Sequence, residues 1–118
     1  FGLLGHLLEI CRGASLRAEV RYADMPILPA ARIYAERGYN TGAAGRNWAS
    51  YGEHVSLPGN MADADANLLR DPQTSGGLLV SCAPSAVDAV VDAFREAGHV
   101  DAGVIGEMRA GEAHIDVV

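Results

Sequence analysis

The chain has 118 residues, of which 49% are apolar and 20% charged, and it carries a formal net charge of −6. The length suits one domain, residues 1–118, and the acidic balance argues against nucleic acid as a partner. All nine basic residues are Arg, which excludes lysine as a phosphate ligand, Schiff base or general base, and no apolar run approaches the roughly 20 residues of a membrane span.

The first part of the chain predicts a helix, a strand and a second helix. Apolar residues recur at helical spacing through FGLLGHLLEICRG at 1–13, and Gly13 is a natural stop. Residues 16–22 alternate apolar and charged side chains, as in a strand with one buried face. A second helix is predicted from Pro29 to Gly38. Because the chain begins directly in helical rhythm at Phe1, we expect it to be a segment of a longer protein.

The middle of the chain is predicted to be irregular. Residues 39–67 are rich in Gly, Asn and Ser, and a long stretch of this kind is usually functional or partly disordered. Within it, one short strand is predicted near residues 53–57 and one helical turn near residues 63–69.

The last third predicts a buried strand at 78–82, the clearest helix of the chain at 84–98, and two final strands at 103–108 and 113–118. In the helix, Ser85 and Asp88 resemble a capping box. Its apolar stripe consists of Val87, Val90, Val91 and Phe94. Gly111 separates the final strands, which predicts a hairpin. Helices mixed with hairpin-linked strands indicate an α+β fold rather than a doubly wound sheet.

The segment DPQTSGGLLV at 71–80 is the most distinctive motif. Asp71 and Pro72 favour the start of a turn, and successive backbone amides of such a loop can bind an anion. The loop leads towards a strand and lacks the GxxxxGK[ST] pattern, so an ordinary phosphate-binding P-loop is excluded. Two interpretations stay open from the residues alone, a structural turn and a loop that shapes a ligand site or an interface.

Three motifs resemble, in the same order, those of the selenophosphate synthetase (selenide, water dikinase) family. They are FGLLGHLLEIC at the start, GRN at 45–47 followed by Tyr51 and Gly52, and DPQTSGGLLV. The last is the specific one, whereas FGxxGH is shared across the aminoimidazole ribonucleotide synthetase superfamily. The resemblance spans the chain and implies the C-terminal domain of that enzyme. It also implies an α/β sandwich with a mixed or antiparallel sheet and a partly ferredoxin-like arrangement.

The resemblance implies an ATP-dependent phosphotransferase that converts selenide, ATP and water to selenophosphate, AMP and phosphate with the help of Mg²⁺. It implies a cytoplasmic homodimer in which this domain works with its own N-terminal ATP-binding domain. The nucleophilic Cys or selenocysteine, a Lys and most Mg²⁺ ligands of the family lie in that other domain, and one more ligand belongs to a D-x-T-G that would directly precede Phe1. We therefore expect the isolated chain to contain no catalytic residue or metal ligand, to bind neither ATP nor Mg²⁺, and to be inactive.

The site residues suggested by the resemblance lie in the loop and at two other places. The loop candidates are Asp71, Gln73, Thr74, Ser75, Gly76 and Gly77. Arg46 and Asn47 are candidates either for phosphate contact or for tying down the long middle region. His6 is a candidate for a place near the substrate channel, although a half-buried structural histidine is the default, and Gly2 is a candidate for cofactor binding.

The remaining polar residues favour structural roles. Cys11 and Cys82 are predicted to be reduced thiols buried in core elements, because a reactive thiol needs exposure and a cationic neighbour. Asp63 and Asp65 are predicted to lie on a solvated acidic loop. The four histidines show no zinc-ligand spacing.

Two other functions remain open. One is a non-catalytic module for dimerisation or small-molecule binding, and the other is the C-terminal domain of a different enzyme of the same ATP-using superfamily. The residues encoded directly upstream of Phe1 would discriminate: a D-x-T-G there, with a Cys or selenocysteine and a Lys in an N-terminal domain, would support the phosphotransferase, and a different partner domain would support the module.

Overall fold

The computed structural model describes all residues, 1–118, and confirms an α+β architecture with a mixed sheet. The elements in chain order are α1 (Gly2–Ala14), β1 (Leu16–Val20), α2 (Pro29–Glu36), α3 (Gly42–Tyr51), β2 (Val55–Ser56), α4 (Asp63–Arg70), α5 (Val87–Glu96), β3 (Gly106–Ala110) and β4 (His114–Val117). Short 3₁₀ turns occupy Tyr22–Asp24, Gly52–His54 and Pro84–Ala86. None of the helices combines the length and the apolar content needed to cross a membrane.

The four strands form one sheet in the order β2-β4-β1-β3. Strand β1 runs antiparallel to β3 and parallel to β4, and β2 runs parallel to β4. The predicted hairpin between the last two strands is therefore wrong, because β1 lies between them. The link at 111–113 can reach about 13 Å when extended, more than the roughly 9.6 Å between strands two positions apart. It passes the start of β1, where Arg17 pairs with both Arg109 and His114.

One face of the sheet carries the core, and α1 covers it. The buried residues of β1 and β4 are Ala18, Val20, Ile115 and Val117. Those of α1 that join the same cluster are Leu4, Leu7, Leu8 and Cys11. Tyr51 at the end of α3 and Leu69 in α4 complete the cluster. The predicted first helix and the alternation along the first strand are confirmed.

The opposite face of the sheet is polar and rich in ion pairs. Arg17 donates two hydrogen bonds to Asp116, one of them from Nη2 to Oδ1 at 2.6 Å. These bonds hold the pKa of Asp116 below its usual range. Arg109 binds Glu19 at 2.6 Å and also contacts Glu107. This face is solvated and does not contribute to the apolar core.

The middle region is more regular than predicted. Helix α3 was missed because its sequence, GAAGRNWASY, has few large apolar residues, yet it buries Ala44, Asn47 and Tyr51. The hydroxyl of Thr41 caps its first turn by accepting a bond from Ala44 N at 3.3 Å. The short strand expected near 53–57 is confirmed as β2. The helical turn expected near 63–69 is a complete helix of 8 residues, α4.

The segment before α5 departs furthest from the prediction. Residues 78–82 form no strand, and Leu78 is 83% exposed. The predicted helix exists as α5 and is followed by Gly98 with a φ of 94°, but no residue of α5 is buried. The predicted capping box is also wrong, since Ala86 occupies the N-cap and no side chain caps it. No backbone hydrogen bond joins residues 78–82 to either edge strand of the sheet, β2 or β3, so these residues form no strand.

Candidate functional site

The loop at 71–77 leaves the end of α4. Asp71 adopts an extended conformation with φ −68° and ψ 123°, as expected for a residue that precedes proline. The helix therefore ends at Arg70, and a turn follows at residues 74–75. All five residues from 73 to 77 are exposed, so their side chains and backbone face solvent.

The two glycines of the loop are not required by the geometry of the turn. Neither Gly76 nor Gly77 has a positive φ. A Cβ on Gly76 would meet only the side chain of Gln73, at 3.5 Å, and a Cβ on Gly77 would meet nothing within 4 Å. Since a tight turn does not account for them, what glycine adds here is an open approach to the backbone amides.

The three sequence motifs meet at Arg70, directly before the loop. From α3, Asn47 Nδ2 donates a hydrogen bond to the backbone oxygen of Arg70 at 3.0 Å. From α1, Gly2 has a φ of 72°, and a Cβ there would lie 2.6 Å from the carbonyl carbon of Arg70. Only glycine allows this close approach. The start of α1 and the middle of α3 therefore both contact the backbone of Arg70, directly before the loop.

Two further hydrogen bonds tie the same elements together. Tyr51 Oη donates to the backbone oxygen of Phe1 at 2.7 Å, and Thr41 Oγ1 donates to Asp71 Oδ1 at 3.3 Å. Tyr51 is buried, and burial raises its pKa, so the phenol remains a hydrogen-bond donor at neutral pH. The loop is thus anchored at its first residue and free beyond it.

Arg70 supplies a positive charge that the sequence reasoning missed. Its guanidinium lies 5.3 Å from the centre of the Trp48 ring, and its Nε donates to the neutral side chain of Asn67 at 3.0 Å. No carboxylate lies within ion-pair distance of Arg70, so its charge is available to an anion. The feature of the sequence that could have indicated a role for Arg70 is its position directly before the DPQTSGG motif.

The structure separates the two candidates Arg46 and Asn47. Asn47 is 9% exposed and bonded to Arg70, which corresponds to the interpretation of a residue that ties down the middle region. Arg46 lies on the exposed side of the same helix and forms no ion pair.

His6 is exposed rather than half-buried as predicted, because it lies on the side of α1 that faces away from the sheet. Its ring meets that of Phe1 edge-on, with centroids 6.1 Å apart. A shallow groove of about 400 Å³ begins here between α1 and α3. Its lining residues are Phe1, Gly5, His6, Leu8, Glu9, Arg12, Ser50 and Tyr51.

Asp65 is not the solvated residue that was predicted. It accepts hydrogen bonds from the hydroxyl of Tyr22 and from Arg32 Nη1, the latter at 2.9 Å. Burial, together with the bond to Asp65, raises the pKa of Tyr22 to about 12. The three side chains fasten α2 and α4 to the segment after β1. Asp63 is exposed, as predicted.

The two thiols differ. Cys11 is buried, as predicted, with its Sγ 3.8 Å from the backbone oxygen of His114, and burial raises its pKa. Cys82 is exposed, and the prediction of a buried thiol is wrong because its segment forms no strand. No group of three His, Cys, Asp or Glu residues comes together in a way that could hold a metal ion.

Comparison with known proteins gives a consistent family. The sequence model described as "AIR synthase related protein, C-terminal domain" matches residues 1–118. "Selenide, water dikinase" of Dechloromonas aromatica (strain RCB) is 54% identical over 118 residues, which are 100% of this chain and 34% of that protein. The protein of the same name from Paraburkholderia xenovorans (strain LB400) is 57% identical, covering 100% of this chain and 33% of its own length. That of Rhizobium meliloti (strain 1021) is 50% identical. The chain spans about one third of the length of these relatives.

Proposed function

This chain belongs to the AIR synthase related protein C-terminal domain family, and from that premise we propose that it is the C-terminal domain of a selenide, water dikinase. The whole protein would make selenophosphate from selenide, ATP and water. One observation carries the proposal: three motifs far apart in the sequence converge on Arg70, the residue from which the most specific motif departs.

The loop at 71–77 suits the wall of a site for a phosphate-bearing group. Thr74 and Ser75 offer hydroxyl donors, Gln73 offers an amide, and the two glycines are exposed and leave space around their Cα atoms. Arg70, the residue directly before the loop, carries a guanidinium charge that no carboxylate of the chain neutralises. Charge-assisted bonds to an anion are stronger than neutral ones, so this combination favours an anionic ligand.

Within this proposal, Asn47 and Gly2 are positioning residues. They contact the backbone of Arg70 rather than a ligand, and they fix where the exposed loop begins. His6 on α1 and Arg46 on α3 are both exposed, and we assign them to contacts with the rest of the active site.

The residues of this chain do not fit a magnesium site of their own. No three metal-ligating side chains converge, and the sequence contains no lysine to grip a nucleotide phosphate. The resemblance assigns the metal ligands and the nucleotide site to an N-terminal domain of the longer protein, and we propose the same division here. The cytoplasmic location and the homodimeric state implied by the resemblance belong to the same proposal.

A chimaera tests the assignment. This chain replaces the matching third of the Dechloromonas aromatica selenide, water dikinase, and selenide-dependent formation of AMP is measured. We expect the chimaera to be active, because the exchanged segments are 54% identical over their whole length. A folded but inactive chimaera would favour a non-catalytic module.

The loop is then tested within the active chimaera. Thr74→Ala combined with Ser75→Ala is expected to lower turnover at least about tenfold with little change in melting temperature, since each lost charge-assisted bond is worth roughly 1.5–3 kcal/mol. Ser85→Ala, another exposed hydroxyl, is the matched control and should change neither quantity. Full turnover in the double variant would show that the loop at 71–77 is only a structural turn.

The isolated chain gives the complementary test. We expect the purified 118 residues to fold but not to convert ATP, because positioning and metal-held charge are what phosphoryl transfer requires. Selenide-dependent production of AMP by this chain alone would contradict the division of labour between the two domains.

A further inference from the structure

Arg70 differs from every other arginine of the chain in how its side chain is held. Five arginines form ion pairs with carboxylates, namely Arg12, Arg17, Arg21, Arg32 and Arg109. Three are exposed and form neither an ion pair nor a side-chain hydrogen bond, namely Arg37, Arg46 and Arg95. Arg70 alone is fixed by hydrogen bonds while its positive charge stays uncompensated.

Two neutral groups hold the guanidinium of Arg70. Asn67, one turn earlier on α4, accepts from Nε at 3.0 Å and from Nη2 at 2.5 Å through the same Oδ1. The guanidinium carbon also lies over the Trp48 ring, 5.3 Å from its centre, within the range of a cation–π contact. Asp71, the neighbouring carboxylate in the sequence, binds Thr41 instead. The side chain is thus oriented without losing its charge.

Gly52 provides the space that Trp48 needs. Its φ of −58° is open to any residue, so its backbone conformation does not require glycine. A Cβ at this position, however, would lie 2.8 Å from Cε2 and 2.9 Å from Cδ2 of the indole. Close packing against the ring of Trp48 therefore gives a structural reason for the glycine that ends the second sequence motif.

One edge of the Arg70 guanidinium remains free. A guanidinium has five N–H donors in a rigid plane, and Asn67 takes the edge formed by Nε and Nη2. No group of the chain accepts a hydrogen bond from Nη1. The edge formed by Nη1 and Nη2 can therefore donate two parallel bonds, an arrangement that matches two oxygens of a phosphate group. Because the side chain is already fixed, less conformational entropy is lost when it binds.

We propose that this free edge of Arg70 binds a phosphate group, and that Trp48 and Asn67 are the positioning residues that aim it. The neutrality of Asn67 keeps the charge available. The phosphate belongs either to the nucleotide or to the inorganic phosphate product, which present the same tetrahedral oxyanion. The place of this contact in an enzyme rests on the function proposed above, whereas the binding itself is a property of this chain.

Inorganic phosphate is the first probe, titrated at constant ionic strength into the ¹⁵N-labelled chain. The Nε–H resonances of the arginines are followed by NMR. We expect the Arg70 resonance to shift saturably, with a dissociation constant of roughly 1–10 mM. Arg37, exposed and unpaired, is the control within the same spectrum and should not saturate in that range. Equal responses of the two arginines would overturn the proposal.

Asn67→Asp separates the charge of Arg70 from its position. The carboxylate has the size of the amide and accepts the same two bonds, but it neutralises the guanidinium. We expect phosphate affinity to fall at least about tenfold without a lower melting temperature. Asn60→Asp adds the same charge at an exposed position on no arginine and should change the affinity by less than about twofold. Undiminished binding in Asn67→Asp would contradict the proposal.

A second pair of variants tests the ring. Trp48→Leu removes the aromatic face and should weaken phosphate binding about three- to tenfold, whereas Trp48→Phe keeps a face and should recover most of the affinity. Trp48 is only partly buried, and thermal melting verifies that both variants are folded. Equal affinities of Trp48→Leu and the natural chain would remove Trp48 from the site.

The source of the phosphate is decided in the active chimaera with Arg70→Lys, which keeps the charge but loses the two-pronged edge. A KM for ATP raised at least about fivefold, with little change in kcat, would assign the contact to the nucleotide. Weaker inhibition by added inorganic phosphate with an unchanged KM would assign it to the product.

Two failures are distinguishable in these measurements. If the natural chimaera is active and Arg70→Lys changes neither the KM for ATP nor inhibition by inorganic phosphate, the role of Arg70 is refuted and the proposed function stands. If the natural chimaera is folded but inactive, the proposed function fails, and the phosphate titration of the chain still decides whether Arg70 binds an oxyanion.

Discussion

Helices α1 and α5 carry similar apolar stripes in sequence, but only α1 is integrated into the core. Six residues of α1 are buried, and none of α5 is. The α1 stripe lies on the apolar face of β1 and β4, whereas the stripe of α5, at Val87, Val90, Val91 and Phe94, is only half-buried. Helical periodicity thus identifies the apolar side of a helix, but burial depends on an available sheet face, which α1 occupies.

Thiol labelling should show the largest difference between these regions. Cys11 lies in α1 and Cys82 directly before the turn that leads to α5. We expect Cys82 to react at the rate of a free thiol and Cys11 at least about 10³-fold more slowly, because its exposure requires opening of the core. Both should react in denaturant. Equal native rates would show that α1 is as loosely packed as α5.

Truncating one residue in each stripe compares the two helices energetically. Leu8→Ala in α1 should lower the free energy of unfolding by about 2–5 kcal/mol, because Leu8 is 1% exposed and the variant leaves a cavity. Val91→Ala in α5 should cost less than about 1 kcal/mol. Urea denaturation measures both. A cost for Val91→Ala as large as that for Leu8→Ala would contradict the described position of α5.

Two glycine substitutions compare Gly2, which contacts Arg70 directly before the loop, with Gly77 in the exposed part of the loop. Gly2→Ala should cost about 1–3 kcal/mol, because φ is 72° and the added Cβ would lie 2.6 Å from a backbone carbon. Gly77→Ala should stay within about 0.5 kcal/mol, since it meets nothing within 4 Å. If Gly77→Ala were the costlier substitution, the loop would be a constrained turn.

The smallest expected effect concerns Tyr22. Its hydroxyl donates to Asp65 and helps to fasten α2 and α4 to the segment after β1. Its pKa is raised from 10.0 to about 12, so the folded state retains a proton that the unfolded state releases. Stability from this group is complete below pH 10 and is lost between about pH 10 and 12. Tyr22→Phe should reduce that alkaline loss by about 1 kcal/mol, after allowance for solvent screening. Tyr34→Phe, an exposed tyrosine, is the control, and an unchanged alkaline profile of Tyr22→Phe would refute the assignment.

Local pattern in the sequence was sufficient for the elements with strong periodicity. The spacing in α1, the alternation in β1, and the Pro29 and Gly98 boundaries depend on interactions between near neighbours, and all were predicted. The DPQTSGG motif was likewise evident from the sequence alone, because a run of unusual residues in a loop needs no tertiary information to be noticed. Helix α3 was not predicted because it has no stripe of large apolar residues. Its position is fixed by hydrogen bonds from Asn47 and Tyr51 to residues distant in the sequence.

Only the tertiary structure decided which elements are neighbours. The placement of β1 between β3 and β4, the exposure of Cys82 and the bonding of Asp65 all depend on contacts between residues distant in sequence. The same is true of the site: nothing local to Gly2, Asn47 or Arg70 indicates that they touch. Backbone hydrogen bonds and buried area reward long-range pairings that local spacing does not encode, so the motifs could be found in the sequence, but their meeting point at Arg70 could not.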